Sequence, residues 1–143
     1  MKIYFSCSIT GGRQDQEIYK IITDVLTSAG HEVPTAHLAN SNVMDLEQSV
    51  SQQDVFLRDS GWVSECDALV AEVTTPSHGV GYEIALALCL KKPVLCCHRK
   101  GIRVSKMLTG NTLPGFQQLI YKTTEELREG LTSYLSTLQS DNG

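Results

Sequence analysis

Apolar positions along the chain fall into two alternating patterns. Short β-branched or aromatic runs at Lys2–Ser6, Ala68–Val73, Pro93–His98 and Phe116–Tyr121 read as strands. A weaker run, His31–His37, contains Pro34, which predicts an edge strand because proline cannot donate to a central ladder. Between these runs apolar residues recur at helical spacing. Ile18, Ile21, Ile22, Val25 and Leu26 define one helix, with Gly30 where a left-handed C-terminal cap is wanted. Leu46, Val50 and Leu57 mark a second, running to about Ser64, and a third starts at Val80. The last presents Leu127, Leu131, Tyr134, Leu135 and Leu138 behind a capping box of Thr123 and Glu126.

Strands alternating with helices in this way imply an α/β fold, a single-domain doubly wound five-stranded parallel sheet with helices on both faces. The expected strand order is the flavodoxin-like 2-1-3-4-5. That order sets the loops after the first and third strands side by side, Cys7–Arg13 against Thr74–Glu83. The domain is expected over residues 1–139, with 140–143 as a frayed tail.

Composition narrows the function. A net charge of −4 on 143 residues argues against a polynucleotide surface. No apolar run approaches the roughly 20 residues of a membrane span, and the N-terminus enters a strand at once, so no signal peptide is expected. Cys7, Cys66, Cys89, Cys96 and Cys97 form an odd set without a C-x-x-C pair, which suits reduced thiols in the cytoplasm or nucleus. His31, His37, His78 and His98 show no ligand spacing with them, so no metal is expected. No Walker lysine, G-x-G-x-x-G or G-x-S-x-G occurs, and no cofactor is expected.

The chemistry concentrates in Asp67–Leu90, a strand, a turn and a helix. Ser77, Gly79 and Gly81 let backbone approach a ligand at the carboxyl end of a parallel strand, where unpaired helix N–H groups favour an anion. Glu83 brings an acid into the same place, in what reads as the first helical turn, where a carboxylate is also a common dipole partner. Asp59 falls near the end of its helix, where the dipole disfavours it, although a solvated surface acid would look the same. With Tyr4 on the first strand, these two carboxylates suit cleavage of a glycosidic bond, one acid as nucleophile or base and the other as proton donor. The helix N-terminus would keep Glu83 ionised.

Four stretches carry a family resemblance: YFSCSITGGR at the start, D-x-x-W at Asp59–Trp62, ECDALVAEVTTPSHGVGYE in the middle, and V-S-K-M-L-T-G at Val104–Gly110. The chain resembles the 2′-deoxynucleoside 5′-phosphate N-hydrolases, within the nucleoside 2-deoxyribosyltransferase superfamily. The resemblance implies hydrolysis of a 2′-deoxynucleoside 5′-monophosphate to free base and 2-deoxyribose 5-phosphate. It implies Glu83 as the nucleophile carrying the glycosyl group, Asp59 assisting proton transfer at the base or the incoming water, and Tyr4 orienting Glu83 and the sugar. Substrate binding would fall to Cys7, Ser8, Ile9, Thr10 and Gly11 in the first loop, with Ser77 and Gly79 on the phosphate. Ser105 would reach the phosphate in a neighbouring subunit, making a homodimer part of the site.

Two departures stand out. Cys7 replaces a glycine and Thr10 an arginine of the family's first loop, which removes a guanidinium fork suited to phosphate; Arg13 is a candidate to compensate. Ala36 stands before His37 where relatives commonly carry an acid. Ile9 and the Tyr4 ring are candidates to wall off the sugar's C2′ edge, leaving a 2′-hydroxyl unpartnered. A deoxyribosyltransferase, with a second base in place of water, and a nucleotide-binding module without turnover are the alternatives.

Overall fold

The computed structural model describes residues 1–9, 15–40 and 47–141. Four parallel strands, β1 (Ile3–Ser6), β2 (Ala68–Glu72), β3 (Val94–Arg99) and β4 (Phe116–Tyr121), lie in the order β1-β2-β3-β4. The register sets Tyr4 beside Leu69, Leu69 beside Val94 and Val94 beside Phe116. Helices α1 (Gln16–Ser28), α2 (Gln52–Glu65), α3 (His78–Cys89), α4 (Lys106–Thr109) and α5 (Thr124–Asp141) supply the layers. The residues of β1, β2 and most of β3 are buried because both faces of those strands are covered, whereas β4 at the edge is largely exposed. Ile3, Phe5, Val70, Leu95 and Cys97 pack with Ile22, Leu26, Leu127 and Leu131 of α1 and α5. Tyr4, Leu69, Ala71, Val94 and Cys96 alternate to the opposite face, against Val63 of α2 and Val80, Ile84 and Ala87 of α3.

Among the described residues the sheet has four strands in the order 1-2-3-4, which corrects the expected five-stranded 2-1-3-4-5 sheet. The stretch His31–His37 contributes one isolated parallel bridge, Glu32 with Lys2. Glu32 donates to the Met1 carbonyl and accepts from the Ile3 N–H. The next residue in phase to donate is Pro34, which has no N–H. The chain then turns into a 3-10 segment, Ala36–Ala39, and the Phe5 N–H is taken by Thr35 Oγ1 at 2.9 Å.

Local signals elsewhere act as the sequence implies. Gly30 has φ +86°, and the Gly30 and His31 N–H groups donate to Thr27 and Leu26 carbonyls, closing α1 in a Schellman motif. Thr123 Oγ1 accepts the Glu126 N–H at 3.1 Å, while Glu126 accepts from the Lys122 N–H at 2.7 Å. Helix α5 runs to Asp141, past the expected boundary at 139. Helix α2 starts at Gln52, capped by Ser51 Oγ on the Asp54 N–H; Leu46, expected on the same helix, lies outside the described residues.

Candidate active site

The strand-turn-helix of Asp67–Leu90 is present as β2, a five-residue connection and α3. Ser77 is the N-cap of α3, its Oγ accepting the Val80 N–H at 3.4 Å. The helix therefore starts two residues earlier than Val80, and Glu83 lies in the second turn rather than the first. Asp59 sits mid-way along α2, not near its end. Helices α2 and α3 pack together on the sheet face that carries Tyr4.

Glu83 and Asp59 line one cavity of about 250 Å³, with Gly79, Ser60, Val55, Phe56, Tyr82 and Leu86. Phe56 and Tyr82 stand edge to face there, ring centres 6.3 Å apart. Tyr4, 1% exposed, lies behind Glu83 and is not part of the cavity wall. Its hydroxyl bonds to the Glu83 carboxyl. The Ser6 hydroxyl also lies against the Glu83 carboxyl and, like Tyr4, lowers its proton affinity.

Burial pushes the Glu83 carboxyl up to about 7; the Tyr4 hydrogen bond and the Arg58 charge oppose this, and the Asp59 charge adds to it. The expectation that the helix N-terminus keeps Glu83 ionised is corrected. From the second turn the dipole is weak, and desolvation outweighs it. Tyr4 is itself held protonated by burial first, then by the Glu83 and Asp59 charges.

A second cavity of about 520 Å³ lies on the other side of α3, between that helix and residues 103–113. Ser77 and Ser105 both line it, within one chain. Ser105 caps α4 by accepting the Met107 N–H at 3.2 Å, so part of the aperiodic stretch before β4 is ordered as a single helical turn. Gly79 lies between the regions: a β-carbon on it would be 3.8 Å from both Glu83 Oε1 and Ser77 Oγ.

The first loop divides. Cys7 and Ser8 are buried, and Cys7 and Ile9 pack on the α1 and α5 side of the sheet. Tyr4 faces the other way, so Ile9 and Tyr4 do not share one wall. Thr10, Gly11 and Arg13 lie outside the described residues.

Three features escaped the sequence reading. Arg58 bonds to Asp59, Glu47 accepts from Arg58, and the only readable hint was that Arg58 and Trp62 are four apart on one helix. Asp15, 3% exposed, pairs with Arg99 Nη2 at 2.7 Å and accepts from Thr75 Oγ1 at 2.9 Å, which ties the end of the first loop to the β2–α3 connection and to β3. Glu72, fully buried, accepts from the Tyr121 hydroxyl and the Thr74 N–H, and burial raises its carboxyl above the ordinary range. No sequence spacing signals pairs 49 or 84 residues apart.

Residues 3–119 match the family model described as nucleoside 2-deoxyribosyltransferase. The chain belongs to that family. Among relatives of this nucleoside 2-deoxyribosyltransferase family member, a Methanosarcina mazei protein, provisionally named 2′-deoxynucleoside 5′-phosphate N-hydrolase 1, is 42% identical over 95% of this chain and 84% of its own length. The 5-hydroxymethyl-dUMP N-hydrolase of Danio rerio is 39% identical over 96% of this chain and 98% of its own. The fold is similar to that of the Clostridium botulinum CMP N-glycosidase BcmB, with a TM-score of 0.72 at 20% identity, covering 94% of this chain and 99% of that one.

Proposed function

We propose that this chain is an N-glycosidase that hydrolyses 2′-deoxynucleoside 5′-monophosphates to free base and 2-deoxyribose 5-phosphate. The observation that carries the reading is the pair Glu83 and Asp59 in one cavity, with Tyr4 bonded to Glu83 from behind. The names of the N-hydrolase relatives support the reaction class and the monophosphate substrate.

In the proposed sequence an ionised Glu83 oxygen attacks C1′ of the sugar. The C1′–N bond breaks with its electron pair leaving on the base, which takes up a proton from solvent, and a glycosyl ester forms on Glu83. Water then attacks C1′, the ester bond breaks, and Glu83 recovers its carboxylate. Asp59, in its ion pair with Arg58, is suited to receive the proton of that water. The partly desolvated Glu83 carboxylate gains nucleophilicity once ionised, and the Tyr4 hydrogen bond favours that form.

Ser77 and Gly79 at the start of α3 are proposed to hold the 5′-phosphate, with Cys7, Ser8, Ile9, Thr10 and Gly11 on the remaining substrate. Ser105 is proposed to complete the phosphate site, either in its own chain, whose cavity it shares with Ser77, or in the neighbouring copy of a homodimer. Sedimentation across a concentration series, with and without nucleotide, separates the two arrangements. Five free cysteines support a cytoplasmic or nuclear setting.

Chromatographic detection of free base tests the function, using deoxynucleoside monophosphates, ribonucleoside monophosphates and deoxynucleosides with wild type beside Glu83→Gln. Release from the deoxy monophosphates by wild type alone is the expected result. The family match gives weight to one second reading, a deoxyribosyltransferase. Turnover of unphosphorylated nucleosides that requires an added second base would select it.

A further inference from the structure

The Arg58 guanidinium lies between two carboxylates. Its Nε donates to Asp59 Oδ1 at 2.8 Å, and its Nη2 donates to both Glu47 oxygens at 3.1 Å. It also sits 5.1 Å above the centre of the Trp62 ring. Glu47 meets His37 Nε2 at 3.1 Å on its other side, and the His37 and Trp62 rings stand edge to face at 6.2 Å. Asp59 lines the smaller cavity and Arg58 does not.

Neighbouring residues on a helix do not face each other, so Arg58 and Asp59 would not pair if each were left to its own rotamers. Arg58 must be bent back toward Asp59 by something else. Glu47 and Trp62 do this, and the side chains of Arg58, Asp59 and Glu47 are only 25%, 23% and 14% exposed, which limits screening by water. Trp62 of the D-x-x-W stretch thereby acquires a purpose: it carries the guanidinium that grips the aspartate.

We propose that Arg58, anchored on Glu47 and Trp62, is the positioning residue that fixes the Asp59 carboxylate toward the cavity. The inference rests on reading Asp59 as one of the reacting pair. Arg58 reaches the other member too, because its charge lowers the proton affinity of Glu83. The groups acting on that pair are Tyr4 from β1, Glu83 from α3 and Arg58 from α2, with Glu47 and His37 acting through Arg58.

The test uses the deoxynucleoside monophosphate that wild type cleaves fastest, with Arg58→Gln, Arg58→Lys, Asp59→Asn and the double variant Arg58→Gln/Asp59→Asn. Arg58→Gln should lower kcat about tenfold or more, leave KM within about threefold, and move the acidic limb of the pH–rate profile upward. Arg58→Lys keeps the charge and loses the planar fork, so it should restore the limb without restoring kcat. The double variant should be no slower than Asp59→Asn alone. Melting temperatures identify variants that fail to fold, and Arg58→Lys then carries the test. Wild-type kcat in Arg58→Gln, or losses that multiply in the double variant with an unmoved limb, would overturn the positioning role while Asp59→Asn remains slow. Wild-type turnover in Asp59→Asn would instead overturn the reading of Asp59, and this inference with it.

Discussion

Gly79 faces the Glu83 carboxyl so closely that a β-carbon on it would stand 3.8 Å from Glu83 Oε1, and equally 3.8 Å from Ser77 Oγ. Those distances are ordinary van der Waals contact, so Gly79→Ala should fold with a melting temperature within a few degrees of wild type. The methyl group would occupy space between the carboxylate and the proposed phosphate position. We expect KM for a deoxynucleoside monophosphate to rise about tenfold or more, read by steady-state kinetics beside thermal denaturation. An unchanged KM would remove Gly79 from the binding surface.

Glu83→Gln separates chemistry from stability. Turnover should fall about a thousandfold or more if Glu83 is the nucleophile. Stability should move the other way. The folded carboxyl titrates near 7 against 4.5 when unperturbed, so the native state binds the proton more tightly. The group favours folding fully below about 4.5, and that advantage is lost as pH rises through 7. The neutral variant avoids the loss, gaining on the order of 1–3 kcal/mol at pH 8 and little at pH 4.5. Denaturant midpoints at the two pH values check this.

Tyr4→Phe removes a hydroxyl that holds the Glu83 carboxyl down, without opening the cavity wall. The acidic limb of kcat/KM should shift to higher pH, with the larger loss at pH 6 and the smaller at pH 8.5. An unmoved limb in the pH–rate profile would mean that Tyr4 does not act through Glu83.

Arg99→Ala leaves Asp15 buried without its cation, although Thr75 still donates to it. We expect a loss of about 1–3 kcal/mol in chemical denaturation, and a rise in KM larger than the fall in kcat, because the clasp joins the first loop to the connection leading to Ser77. Equal effects on both constants would show that the clasp supports the fold without shaping substrate binding.

Much of the chain's local chemistry was legible. Four strands, the Gly30 cap, the Thr123–Glu126 cap and the strand-turn-helix carrying Glu83 all follow from signals spanning a few residues, and the structure has each of them. Asp59 and Glu83 were identifiable as a carboxylate pair, and helices α2 and α3 bring them into one cavity. Three things were not legible. Pro34 was readable as an edge residue, but that it ends the pairing outright depends on its phase against Ile3 across the sheet. The proton affinity of Glu83 depends on how completely α2, α3 and β1 exclude water from it, which overrides the helix-terminus argument available from sequence. The Arg58–Glu47 and Asp15–Arg99 pairs join residues distant in the chain, so only the folded arrangement selects them. Sequence by itself determined four strands, the long helices and their caps, because those depend on neighbours within a few residues. Tertiary structure decided which charges meet and how much water reaches them, because both depend on distances and dielectric set by segments far apart along the chain.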